Sequence, residues 1–125
     1  MMDNLLIIGA TLAVLIGAAH SYLGEHYIMV RLFRRSDLPQ LFGSDTFTKQ
    51  TLRFAWHLTT IAWIGLASVI LIEVVVPSSE QLSAILKAIS ITFFISSVVT
   101  LVTSKGRHFA WVVFLSISVL VWIGS

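Results

Sequence analysis

Polar positions are sparse along this chain. They gather between four long apolar runs, about Asn4 to Val30, Leu52 to Val76, Leu82 to Val102 and Phe109 to Gly124. The runs lack the period-two alternation and the spacing of about ten residues that mark the strands of membrane barrels. Each of the first three exceeds the roughly 20 residues an α-helix needs to cross about 30 Å of hydrocarbon. The fourth reaches that length when it is started at His108 and the C-terminus lies at the membrane interface. The pattern predicts an all-α chain, an integral membrane antiparallel four-helix bundle. A single domain is expected over residues 1–125, with helices over about 4–31, 52–76, 80–103 and 108–124 and a loop over about 34–50.

The connections follow from punctuation. RRSDLPQLFGSDTFTKQ separates the first two runs; Pro39 and Gly43 break regular structure there, and Ser36, Ser44 and Asp45 are residue types that cap helix starts. PSSEQ is expected to turn at Pro77, with Ser78 or Ser79 capping the next helix. SKGR turns on Gly106. Links this short make neighbouring helices antiparallel. The first run carries Gly17-Ala18-Ala19, which resembles a signal-peptide cleavage site. Its start, MMDN, lacks the positive region of such peptides and its apolar stretch is too long, so it is read as a retained helix.

Composition sharpens the choice of solvent. Of the 125 residues, 57% are hydrophobic and 11% charged, and the mean hydropathy is +0.93. A soluble domain of this size keeps too much surface exposed to hide so much apolar side chain, so the lipid bilayer is the expected partner. The absence of cysteine excludes disulfides, iron–sulfur clusters and thiolate metal sites. Arg31, Arg34, Arg35, Lys49 and Arg53 surround the first loop, and Lys105 and Arg107 mark the third. By the positive-inside rule those two loops are cytoplasmic, which leaves both termini outside a bacterial inner membrane. The net charge of +2 then reflects topology, and nucleic acid is not an expected partner. Lys87 stands apart, about two turns into the third helix from the outer turn, where it is expected to snorkel outward or pair with Glu73.

Against this apolar background, AHSYLGEH (19–26) places two imidazoles and a carboxylate close together. Counted from the basic ends at about 1.5 Å per residue, His20, His26, His57 and His108 all fall in the inner half of the membrane. Gly9, Ala13, Gly17, His20 and Gly24 recur at three- and four-residue spacing, so His20 shares a face with small residues that allow close helix contact. Glu25 lies about 140° around the helix from His20 and His26 about 120° the other way, so the stretch is not one chelating motif. On the second helix Arg53 and His57 share a face with Thr60 or Ile61, and on the fourth His108, Trp111, Leu115, Ser118 and Trp122 form a stripe. The third helix offers Ser83, Lys87, Ser90, Ser97 and Ser104, expected to mark a packing face. The candidate metal ligands are His20, His57, Glu25 and His108, and the candidate structural ion pair joins Glu25 to Arg53 or Arg107. His26 and His108 equally suit the membrane interface.

The pair AHSYLGE and LRFAWHLTTIAW resembles the signature of a family of small four-transmembrane-helix inner-membrane proteins of bacteria. The resemblance covers most of the chain and implies the class without an activity. The chain also has the length and helix number of small multidrug transporters, but their membrane-central glutamate is not matched by Glu25, which sits near the basic inner end and precedes His26. Three classes of function follow. The first is a non-enzymatic inner-membrane component with no cofactor, either self-associating or a subunit with a membrane-protein partner, with a His/Glu polar cluster on its cytoplasmic half. The second is a metal or haem site built on His20 and His57. The third is a small transporter. An intramembrane enzyme is the weakest reading, since no cysteine, HExxH or GxSxG motif is present.

Overall fold

The computed structural model describes residues 2–125. The first apolar run forms α1 (Met2–Leu23), which continues into a π-helical stretch, Gly24–Met29, and a last helical turn, Val30–Leu32. Three further helices follow: α2 (Thr46–Val75), α3 (Gln81–Ser104) and α4 (Ala110–Ile123). No strand occurs among the described residues; a lone bridge pairs Leu41 with Ser44 in the first loop.

Three of the helical stretches, Asp3–Leu32, α2 and α3, are long and apolar enough to cross a membrane. The fourth is shorter than the sequence suggests. His108 and Phe109 are consumed by the turn rather than by α4, because the His108 amide donates to Ser104 Oγ (3.4 Å) and His108 Nδ1 accepts from the Ala110 amide (3.2 Å). The 14 residues of α4 rise about 21 Å, less than the roughly 20 residues of a full span provide. The second helix differs in the other direction. It starts six residues before Leu52, since nothing in TFTKQT breaks a helix and Lys49 Nζ meets Asp45 at 2.6 Å across its first turn.

The turns obey local stereochemistry. Val76 is extended, as a residue before proline must be, and the Glu80 amide donates to Pro77 O (2.9 Å). Neither Ser78 nor Ser79 caps α3, whose first residue follows Glu80 with no side-chain cap. Gln81 takes a different role, its Nε2 donating to Val76 O (3.2 Å) at the end of α2. Lys105 and Gly106 are left-handed (φ 51° and 76°), and the Gly106 amide reaches back to Leu101 O (2.9 Å) to close α3. In the first loop Arg35 binds Asp37 (Nε–Oδ1 2.8 Å), and that hydrogen bond holds the Asp37 carboxyl below its usual range.

Packing is serial. Helix α1 lies on α2, α2 on α3 and α3 on α4, and among the described residues no other pair of helices approaches closely. The stack is therefore open, with no α1–α4 contact to close a ring. Small and hydroxyl residues make the contacts. Ala10, Gly17 and Gly24 of the first helical stretch are buried at seven-residue spacing. Gly9, expected on that ridge, is exposed with nothing within 4 Å of where a Cβ would stand. Between α3 and α4, Ser90 Oγ donates to Ser118 O (2.8 Å) and Ser97 Oγ to Trp111 O (2.8 Å). Together with Ser104, these serines form a buried row that joins α3 to α4 and to the turn before it.

Candidate functional site

Ser21 and Glu25 are four residues apart on the first helical stretch, and Arg53, His57 and Thr60 are three to four apart on α2, so each set shares one face. The two faces meet. Glu25 receives Arg53 in a two-pronged pair, Oε1 from Nη2 at 2.8 Å and Oε2 from Nε at 3.2 Å. The Arg53 guanidinium also lies 4.9 Å over the Phe33 ring. His57 Nε2 stands 3.4 Å from Glu25 Oε2. On the far side of the imidazole, His57 Nδ1 is 2.8 Å from Ser21 Oγ, Ser21 Oγ is 2.8 Å from Thr60 Oγ1, and Thr60 Oγ1 donates to Gly17 O at 3.0 Å.

The terminal carbonyl fixes the direction of this chain. A carbonyl only accepts, so the one proton of Thr60 goes to Gly17 O and Thr60 accepts from Ser21. Ser21 has then given its proton away, so His57 Nδ1 must carry a proton and donate to Ser21. The order Ser21, His57, Glu25 has the outline of a nucleophile, a base and a carboxylate. With Nδ1 protonated and the Ser21 proton turned towards Thr60, however, the imidazole presents no lone pair to Ser21 in this arrangement. The arrangement is a directed tie from α2 to the α1 backbone. Thr60→Val removes the terminal donor. It should cost about 1 kcal/mol in thermal unfolding and turn the Ser21 proton to His57, so nitrogen NMR should show Nδ1 without its proton. An Nδ1 proton retained in this variant would refute the directed chain.

His20 lies beside this chain. Its ring stacks on Trp56 (centroids 4.4 Å, planes within 4°) and tilts against Trp63 at 5.2 Å, while Trp56 Nε1 donates to His20 O at 3.0 Å. His20 Nε2 is buried without a hydrogen-bond partner among the described residues. The π-helical stretch begins one residue before Glu25, at Gly24, where the absence of a side chain lets the Trp56 indole lie directly on the backbone.

The remaining candidates are dispersed. His26 is exposed and stacks with Tyr22 (5.9 Å). His108 sits against Phe47 (5.5 Å) and Phe54 (4.8 Å), with its Nδ1 occupied by the Ala110 amide. Arg107 is exposed beside Leu41, Phe42 and Phe47, and among the described residues the arginine that pairs with Glu25 is Arg53 alone. Glu25 and His57 are thus adjacent, but His20 and His108 do not join them, and no three His, Asp or Glu side chains among the described residues are grouped to hold a metal ion.

Ser21 and Thr60 carry the centre of the network. Thr60 was visible on the His57 face, whereas Ser21 is masked by the more conspicuous His20 next to it. The signal that finds Ser21 is its spacing of four from Glu25, matched by the Arg53 to His57 spacing on α2. Comparison of the chain with protein-family models, curated proteins and solved structures finds no match.

Proposed function

We propose that this chain is a non-enzymatic integral component of the bacterial inner membrane, in which the Arg53–Glu25–His57–Ser21–Thr60 network latches the first helix to the second. The observation that carries this reading is the unbroken run of side-chain contacts from Arg53 through Glu25, His57, Ser21 and Thr60 to Gly17 O, which joins the two helices. In the proposed arrangement the helices run alternately across the membrane with the basic first and third loops cytoplasmic. Contacts that pair rising with falling residue numbers, Ser90 with Ser118 and Ser97 with Trp111, support that alternation. The open stack leaves α1 covered by α2 alone, which suits association with a second copy or a membrane-protein partner.

The test is His57→Ala in purified protein, read by thermal unfolding, absorption spectrum and elemental analysis. A lowered unfolding temperature with no metal or chromophore in either form is expected. Stoichiometric metal or a haem band in the unsubstituted protein, lost in His57→Ala, would replace the latch with a cofactor site. A C-terminal reporter active only in the cytoplasm would overturn the orientation.

A further inference from the structure

Lys87 lies six residues into α3, about 9 Å along the helix from its outer end, within an apolar span. It is exposed, and no acidic side chain among the described residues pairs with it, Glu73 included. A lone cation at such a depth snorkels to the interface or takes a counter-charge. It lines a groove of about 490 Å³ on the outer surface between α2 and α3. Ile61, Ile64 and Gly65 form one wall, and Ala84, Ala88 and Ile91 the other. The small side chains of Ala84 and Ala88 keep their wall low, and Thr92 packs against Gly65. The polar groups Ser68 and Thr92 in the lining are already spent on Ile64 O (2.9 Å) and Ala88 O (2.8 Å). The Lys87 ammonium is therefore the one polar group in the groove without an internal partner among the described residues.

We propose that this groove binds an anionic phospholipid, with one acyl chain lying between α2 and α3 towards Ile61 and Ile95 and the headgroup phosphate paired with Lys87. Charge complementarity selects the lipid: an apolar trough takes any chain, but a lysine that snorkels to its mouth favours an anionic head. The site faces the leaflet next to the Pro77–Glu80 turn. The inference rests on the membrane reading of the chain. That reading is checked separately by whether the protein stays with the membrane fraction in carbonate and needs detergent for extraction.

Detergent-purified full-length protein is challenged with equimolar phosphatidylglycerol and phosphatidylcholine of identical chains, and retained lipid is counted by native mass spectrometry. About fivefold preference for phosphatidylglycerol is expected, the worth of one basic residue against an anionic lipid. Lys87→Gln should abolish the preference while still retaining both lipids, Lys87→Arg should keep it, and Ala88→Phe, which fills the trough, should reduce retention of both. Equal retention by the unsubstituted protein, or an unchanged preference in Lys87→Gln, overturns the proposal. Circular dichroism of each variant separates loss of binding from loss of fold, and Lys87→Gln, at an exposed position, remains informative if Ala88→Phe does not fold.

Discussion

Gly24→Ala is expected to lower stability by about 1–3 kcal/mol, the cost of overpacking a filled contact, whereas Gly9→Ala is expected to leave it unchanged or raise it by up to about 1 kcal/mol. A Cβ on Gly24 falls 2.0 Å from Trp56 Nε1 and 2.3 Å from Cε2, inside any permissible contact. The indole has little room to retreat. It is stacked on His20 at 4.4 Å and held by its hydrogen bond to His20 O, so displacing it also disturbs the first helix. Gly9 is open, and alanine there brings only its better helix propensity. Thermal unfolding in detergent, followed by tryptophan fluorescence and circular dichroism, measures both. Equal tolerance at 24 and 9 would mean that Trp56 does not rest on the helix backbone.

Glu25→Ala is expected to cost about 1–3 kcal/mol, because it strips Arg53 of its two-pronged partner. The magnitude sits between two limits. Side-chain exposures of 42% for Arg53 and 34% for Glu25 leave enough solvent to keep the pair well below a fully buried one, and the two-pronged geometry lifts it above an isolated surface pair. Arg53→Met in the Glu25→Ala background should then recover part of the loss, since the remaining unpaired charge is removed. A double-mutant cycle reads the coupling directly, with about 0.5–3 kcal/mol expected for groups in one network. Strictly additive losses would remove Glu25 and Arg53 from the latch.

The open stack bears on both experiments. Because among the described residues α1 is held by α2 alone, a weakened latch should release the first helix before it disturbs the α3–α4 pair, which is joined separately through Ser90 and Ser97. Local opening of this kind is expected where few elements share a contact.

Apolar run length and punctuation are one-dimensional properties, and they determined the existence of four helices, the turns at Pro77 and Gly106 and the gathering of basic residues at two loops. Position along a helix is also nearly one-dimensional, which is why the meeting of Glu25 with an arginine at the basic end of a neighbouring helix was legible as a choice between Arg53 and Arg107. Azimuth and neighbour identity are not. Which arginine Glu25 meets, the displacement of the contact ridge from Gly9 to Ala10, and the burial of His20 under Trp56 depend on how α1 is rotated against α2. The direction of the His57 proton chain depends on one carbonyl, Gly17 O, which every residue possesses and only tertiary packing selects. The last helix turned on the same kind of detail: His108 reads as part of an apolar run, yet its hydrogen bonds to Ser104 and Ala110 place it in the turn, because a side chain that satisfies the amides of a helix start ends the run where it stands.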